Sequence, residues 1–288
     1  MTITPPFKYF GSKFRISKKI IEHFPPHACW VEAFCGSAAI TLQKKPAQIE
    51  IINDLDGNIV NVFRQLRENP DELLRLIELT PYAKEELDFC RTDTEDKLEK
   101  ARRFIVCAKM SVNATSGFSF SNSFSIGKKE MCVNTLYNLP SKIKKVIDRL
   151  KKVRIENRDA FDLIKHFENR PNTLIYIDPP YLMKRSGKYN IDANYEEFHV
   201  KLLNLCKESN AMIMVSSYNN DLYDKNLSNW GKVEIETRTA SSDGASSQRT
   251  EVIWKNQNLI KAFESNKLPL VFSKYETKKR KVNPERFD

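Results

Sequence analysis

At 288 residues the chain has room for one large α/β body with a smaller insert and a full core, and its 47 Lys and Arg against 37 Asp and Glu give a formal charge of +10 that favours a polyanionic partner such as nucleic acid. Six cysteines without a C-x-x-C pair and four scattered histidines exclude a metal-ligand pattern or a disulfide framework, so the thiols read as reduced and no metal is expected. No run reaches the roughly 18 apolar residues of a membrane span and the N-terminus lacks a signal-peptide core, so a soluble, cytoplasmic protein with no membrane contact is expected.

Residues 29–34 read as a strand running into the tight turn Cys35-Gly36-Ser37, with a small-residue helix start at Ala38, Ala39 and Ile40. This is a nucleotide-type βα turn, in which Ala38 is expected to keep φ below zero. Residues 50–53 form a second short strand ending at Asp54. That acid lies 18 residues beyond Gly36, close to the ~20-residue offset at which an acid reaches ribose hydroxyls in dinucleotide folds; capping a helix is the alternative role.

From 57 to 150 the pattern turns helical, with Ile59, Val62, Phe63 and Leu66, then Leu98, Ala101, Phe104, Ile105 and Ala108, at helical spacing. Within it, 111–129 is a polar loop in which Phe118, Phe120 and Phe124 alternate with Ser and Asn and which ends in Lys128 and Lys129. Such a mixture suits base contacts; a loop pinned by its phenylalanines is the alternative. Residues 141–152 set Ile143, Val146, Ile147 and Leu150 on one helical face and Lys142, Lys145, Arg149 and Lys152 largely off it, a solvated face by default.

A third strand, 153–156, leads into Asn157-Arg158-Asp159-Ala160-Phe161, another acid at a strand end before a helix. The most informative stretch follows. Leu174, Ile175, Tyr176 and Ile177 make a short apolar run, as expected of a strand buried on both faces of a parallel sheet, and it ends in Asp178-Pro179-Pro180-Tyr181. Loops beyond the carboxyl ends of such strands hold ligands. Each proline fixes its own φ and restricts the residue before it, so the Asp178 carboxylate and Pro179 carbonyl become two rigidly held acceptors, suited to an exocyclic amine with two N–H donors. Tyr181 adds a flat face on which an aromatic base could stack. A helix over 195–208, a buried strand over 211–215 and a hairpin of 232–239 with 249–254 complete the pattern, with a mobile flap expected over 240–248 and a solvated basic tail at the end.

Taken in order, Phe7-Lys8-Tyr9-Phe10-Gly11-Ser12-Lys13, Val31-Glu32-Ala33-Phe34-Cys35-Gly36-Ser37-Ala38, Asn53-Asp54, Asp159-Ala160-Phe161 and Asp178-Pro179-Pro180-Tyr181 resemble the alpha group of DNA adenine N6-methyltransferases, the Dam-like family. The resemblance spans residues 7 to about 256. It implies an α/β Rossmann-like S-adenosylmethionine-dependent methyltransferase core over 1–56 and 151–262, an inserted helical target-recognition domain over 57–150 and a basic tail over 263–288. It also implies that Tyr9 and Lys13 belong to the N-terminal cofactor motif, with Lys13 near the methionine carboxylate. Glu32, Phe34, Gly36 and Ser37 belong to the main cofactor loop, Asp54 to the ribose hydroxyls, and Asp159 with Ala160 to the cofactor adenine. Asp178 would face both cofactor and substrate, with Pro179, Pro180 and Tyr181 completing the catalytic motif. Asn113, Ser116, Phe118, Ser121, Asn122, Lys128, Lys129 and Arg249 are then the candidate DNA contacts. Ala33 and Ala38 depart from the family, which has Pro at the first and a second Gly or small residue at the other.

The expected reaction is transfer of a methyl group from S-adenosylmethionine to N6 of an adenine flipped out of duplex DNA, leaving S-adenosylhomocysteine. Cytosine C5 chemistry needs a cysteine nucleophile, usually presented as Pro-Cys, and the chain has no Pro-Cys. Cytosine N4 methylation, an RNA or protein-amide substrate, and a weakly catalytic DNA-binding regulator are the alternatives. Double-stranded DNA is the expected partner of a monomer or weak dimer from a bacterial, archaeal or phage source, with a cognate restriction endonuclease left open as a second.

Overall fold

The computed structural model describes residues 2–111, 132–182, 196–240 and 246–269. After a short 3-10 turn at Lys13–Arg15 and helix α1 (Ser17–Ile21) come β1 (Cys29–Glu32), α2 (Ala39–Gln43) and β2 (Ile49–Asn53). Helices α3 (Gly57–Glu68), α4 (Pro70–Glu78), α5 (Lys84–Cys90), α6 (Lys97–Met110), α7 (Cys132–Tyr137) and α8 (Leu139–Leu150) follow. The chain then alternates β3 (Val153–Glu156), α9 (Ala160–Phe167), β4 (Thr173–Ile177), α10 (Glu196–Glu208), β5 (Met212–Tyr218) and α11 (Asp221–Asn226), and closes with β6 (Gly231–Ala240), β7 (Ser246–Lys255) and α12 (Gln257–Ser265).

The seven strands form one sheet in the order β3-β2-β1-β4-β5-β7-β6. The first five are parallel, and β7 runs antiparallel between β5 and β6. Strand order therefore reverses between β1 and β4, which pair Cys29 with Thr173 through Glu32 with Tyr176. Such a reversal opens a crevice beyond the carboxyl ends of the two strands. The apolar runs read as two-sided strands are buried on both faces. Val31, Ile175, Ile177 and Ile213 pack with Leu163, Leu202 and Leu203 of α9 and α10, whereas Trp30, Leu174, Tyr176 and Met214 pack with Ile20, Ile40 and Leu259 on the other side.

The helices between β2 and β3 form a third core of Phe63, Leu66, Ile77, Ile105, Ile143 and Val146, continuous with Ile52 and Val153 of the sheet. Asp56 and Asp96 start α3 and α6 by accepting N–H bonds at the helix N-termini, from Asn58 and from Leu98 and Glu99. Phe7 is fully buried in this core, its ring 5.8 Å from Phe63 and 5.1 Å from Phe104, and so fixes the N-terminal segment across the sheet edge.

Two expectations need correction. Arg149 does not join a solvated face. Its guanidinium holds the Glu50 carboxylate at 2.5 and 2.9 Å and donates to the Thr41 carbonyl at 2.8 Å, while Lys44 meets the same Glu50 at 2.6 Å. Helical spacing sorts residues by face but does not say which neighbour that face meets; here an arginine at its margin reaches a buried acid. Of the flap expected over 240–248, Ala240 and residues 246–248 belong to strands instead, since β6 and β7 pair out to Ala240 with Ser246 and carry Gln248 opposite Arg238; the rest of it lies outside the described residues. Among the described residues, no helix is long and apolar enough to cross a membrane.

Candidate active site

At the end of β1, Glu32 is 3% exposed, and its Oε2 accepts from the Thr41 backbone N–H at 3.0 Å and from the Thr41 hydroxyl, which in turn accepts from Trp30 Nε1 at 2.7 Å. A carboxylate thus holds the first turn of α2. Burial pushes the Glu32 carboxyl up to about 7 despite the Thr41 bonds. Gly36 turns the chain with φ +48°, and a Cβ there would lie 2.8 Å from Cδ1 of the Tyr9 ring, so Tyr9 packs on bare backbone. Ala38 corrects the expectation for its backbone: φ is +53°, left-handed, because the turn must close with Ala38 N–H on Cys35 O at 2.6 Å before α2 begins. Ser37 and Ser12 join hydroxyls at 2.9 Å, tying the N-terminal segment to this loop.

At the end of β2, Asn53 is buried and its side-chain amide links three strand ends. It donates to Ala33 O at 3.0 Å and Arg158 O at 3.1 Å, and accepts from Arg158 N–H at 2.9 Å. Asp54 accepts from Gly36 N–H at 2.8 Å and Asp56 N–H at 3.0 Å, and burial pushes its carboxyl up to about 6 against those bonds. The helix-capping acid is Asp56, two residues on; Asp54 fixes the glycine turn instead. Asp159 does cap a helix, accepting from Phe161 N–H at 2.7 Å at the start of α9.

At the end of β4, the Lys13 ammonium lies 2.8 Å from Asp178 Oδ2, 2.9 Å from Gly11 O and 4.7 Å from the Tyr181 ring centroid. Burial opposes its charge, but Asp178 and Glu251 outweigh burial and hold its pKa above the ordinary lysine value. Burial and the Glu251 charge keep the Asp178 carboxyl above the usual carboxylate range, with Lys13 pulling it down. The resemblance assigns Lys13 to the methionine carboxylate; in the structure its nearest anion is Asp178. Tyr181 is 5% exposed, packs edge-on to Tyr218 at 4.6 Å and donates its hydroxyl to Glu251 Oε1.

The ends of β1, β2, β3 and β4 line one cavity. Its wall includes every residue expected to hold the cofactor, namely Tyr9, Lys13, Glu32, Phe34, Gly36 and Ser37 from the first two motifs, and Asp54, Asp159, Ala160 and Asp178 from the later strand ends. Pro179 and Pro180 complete that side, whereas Tyr181 lies behind the wall rather than on it. Sequence reasoning missed Phe198 of α10, whose ring meets Phe34 at 6.3 Å and Phe161 at 5.2 Å to form an aromatic side, and Glu251 of β7. No local pattern marks either residue; an apolar position on a helix and an acid on a strand look alike wherever they face. The candidate DNA contacts Asn113, Ser116, Phe118, Ser121, Asn122, Lys128 and Lys129 lie outside the described residues. Arg249 sits on β7 opposite Thr237, with its side chain outside them too.

Residues 9–241 match the family described as D12 class N6 adenine-specific DNA methyltransferase. The type II methyltransferase M1.LlaDCHI of Lactococcus lactis subsp. cremoris is 23% identical over 284 residues, covering 89% of this chain and 96% of its own. The modification methylase StsI of Streptococcus sanguinis is 26% identical over 204 residues, which make up 65% of this chain but 30% of that protein. Among solved structures, the rRNA methyltransferase aviRa from Streptomyces viridochromogenes overlaps 90% of both chains at 13% identity with a TM-score of 0.40, too loose to add to the strand order. The family match begins at Tyr9 on the cavity wall and runs through all five parallel strands into β6, and the chain belongs to the D12 class of N6 adenine-specific DNA methyltransferases.

Proposed function

We propose that the cavity binds S-adenosylmethionine between the ends of β1, β2 and β3, and that Asp178 and Pro179 receive the target adenine amine at the end of β4. Family membership gives the reaction, S-adenosylmethionine-dependent methylation of adenine N6 in DNA, and selects it over the cytosine, RNA, protein-amide and regulator alternatives. The observation carrying the residue assignment is the Asp178-Pro179-Pro180 rail, which forms one wall of a cavity whose other walls are the cofactor motifs.

The donor set suits the cofactor. Glu32, Asp54, Asp159 and Asp178 offer four carboxylates around one space, matched to a molecule with a sulfonium, an ammonium and ribose hydroxyls, and Leu55, Phe34, Phe161 and Phe198 supply apolar and aromatic surface for its base. Bound S-adenosylmethionine supplies an already activated methyl group. The protein's own work is placement and acceptance, and near-attack placement is worth roughly 7–11 kcal/mol. Asp178 Oδ and the Pro179 carbonyl would accept hydrogen bonds from the two N6–H groups and draw the nitrogen lone pair out of the adenine ring, ready for a methyl whose bond to the sulfonium breaks as the N–C bond forms; the surplus N6 proton, held at Asp178, would then pass to water. Extrusion of the base from the duplex costs a few kcal/mol. The stacking expected of Tyr181 is not offered by this arrangement, because its ring is buried behind the cavity wall against Tyr218 and the Lys13 ammonium, so phosphate contacts would carry that cost.

The helical segment 57–150 is assigned to target recognition, with core residues 1–56 and 151–262 on either side of it in sequence and a basic tail after them. A cognate restriction endonuclease fits the names of the two relatives, and a monomer suffices for the chemistry. Purified protein and its Asp178→Ala variant, compared for labelled-methyl transfer to duplex DNA, for DNA binding and for S-adenosylmethionine affinity, test the assignment. Lost transfer with retained DNA binding is expected; substantial residual methylation removes Asp178 from the role.

A further inference from the structure

We propose that Glu251 is a positioning residue of methyl transfer, the second carboxylate that takes the Lys13 ammonium when the target amine claims Asp178. The inference rests on the reading of Asp178 as amine acceptor. Glu251 is 5% exposed on β7, opposite Tyr218 of β5 and Ile235 of β6, and is not part of the cavity wall. Its Oε1 gathers three donors. The Tyr181 hydroxyl and Ser216 Oγ, the latter at 2.6 Å, donate directly, and Lys13 Nζ stands 3.8 Å away. Lys13 is 2.8 Å from Asp178 on its other side, so one buried ammonium lies between two buried carboxylates and is nearer to Asp178.

A carboxylate already bonded to an ammonium is a weaker acceptor for a neutral amine, because the cation draws off the charge that N6–H would meet. Asp178 and Glu251 are the two carboxylates paired with Lys13 among the described residues, so without Glu251 its release from Asp178 would leave a buried ammonium with no protein carboxylate beside it. Glu251 removes that obstacle, since Lys13 needs only a movement on the scale of a hydrogen bond to exchange one carboxylate for the other. Gly11 O, a neutral acceptor on the lysine's own segment, does not supply the charge. Two of the three donors at Oε1 do not need a negative charge; an amide oxygen accepts from Tyr181 and Ser216 equally well. Only Lys13 does, so Glu251→Gln separates anchoring from charge.

The measurement is kcat and kcat/KM on duplex DNA against pH for wild type, Glu251→Gln and Asp178→Asn, with S-adenosylmethionine affinity and melting temperature for each. Facing Asp178 are Lys13 from the N-terminal turn, Glu251 from β7, Tyr176 and Tyr181 from β4 and its loop, and Glu32 from β1, with Tyr218 of β5 against Tyr181 and Lys13. Glu251→Gln is expected to bind S-adenosylmethionine like wild type, to lose on the order of tenfold or more in kcat, and to move the acid limb of kcat/KM to lower pH, because a negative charge beside Asp178 is gone. Wild-type kcat, or an equal loss at every pH with the limb unmoved, overturns the proposal; the second result is what simple anchoring of Tyr181 would give. If Glu251→Gln does not fold, Glu251→Asp beside Tyr181→Phe carries the test: Tyr181→Phe breaks the anchor and keeps the charge in place, so Glu251→Asp is expected to lose clearly more kcat than Tyr181→Phe, and equal losses or a wild-type kcat for Glu251→Asp overturn the proposal. Turnover by Asp178→Asn at the wild-type rate would instead remove the reading of Asp178 itself. An inactive Asp178→Asn beside a wild-type-like Glu251→Gln removes only the role of Glu251.

Discussion

Replacing Glu32 with Gln should stabilise the fold more at alkaline than at acid pH. Glu32 is 3% exposed and burial holds its carboxyl at about 7, against an ordinary 4.5. The folded-state value lies above the unfolded one, so the stabilisation from protonation is fully present below about pH 4.5 and is lost as pH rises through about 7. At ~1.36 kcal/mol per pH unit, the linkage between pH 5 and pH 8 amounts to about 2.5 kcal/mol of stability lost by wild type over that range. Gln carries no such term, and its amide oxygen still accepts from the Thr41 N–H and hydroxyl. Any fixed cost of the substitution is the same at both pH values, so the informative quantity is the change in the difference between variant and wild type. With about 2–4 °C per kcal/mol for a chain of this class, Glu32→Gln should gain about 5–10 °C on wild type between pH 5 and pH 8 in thermal melts followed by circular dichroism. Parallel melting curves for the two proteins across that range would refute a Glu32 carboxyl raised by burial.

Gly36→Ala should lower the melting temperature and weaken S-adenosylmethionine binding about tenfold or more by calorimetry, since a left-handed alanine costs about 1–2 kcal/mol and its Cβ would force the Tyr9 ring off the cavity wall. Ala38→Gly should change stability by less than about 1 kcal/mol, because relief of a left-handed alanine offsets the lost methyl and the glycine's greater unfolded freedom; Ala39→Gly, unstrained in the first turn of α2, should cost about 1.5–2 kcal/mol in urea denaturation. Arg149→Met should cost about 2–4 kcal/mol in the same assay, leaving Glu50 with Lys44 alone.

β1, β2 and β4 were legible because each is a short, mostly apolar run with an acid at its carboxyl end. The expected 153–156 coincides with β3 and the strand-like run from Thr173 to Ile177 with β4, whereas 50–53 falls one residue short of β2 and 29–34 overruns β1 by two. The cavity wall was legible for a related reason: parallel strands send their carboxyl ends to one edge, so acids at successive strand ends must meet. What sequence leaves unsaid is pairing across distance. Lys13 with Asp178, Tyr181 with Glu251 and Arg149 with Glu50 are separated by long stretches of chain, and each could equally have faced water. Ala38 fails for a different reason. Residue type favours negative φ, but the Cys35–Ala38 turn, held by Asp54 on Gly36 and by Glu32 on Thr41, imposes the rarer conformation.

The most direct test of the account is modification-sensitive long-read sequencing of plasmid DNA from a methylation-deficient host expressing the chain, beside an Asp178→Ala control. The account requires N6-methyladenine at one short sequence with the intact protein and none with the variant. Unmodified DNA despite folded protein, a modified cytosine, or N6-methyladenine that persists in the Asp178→Ala strain would contradict it.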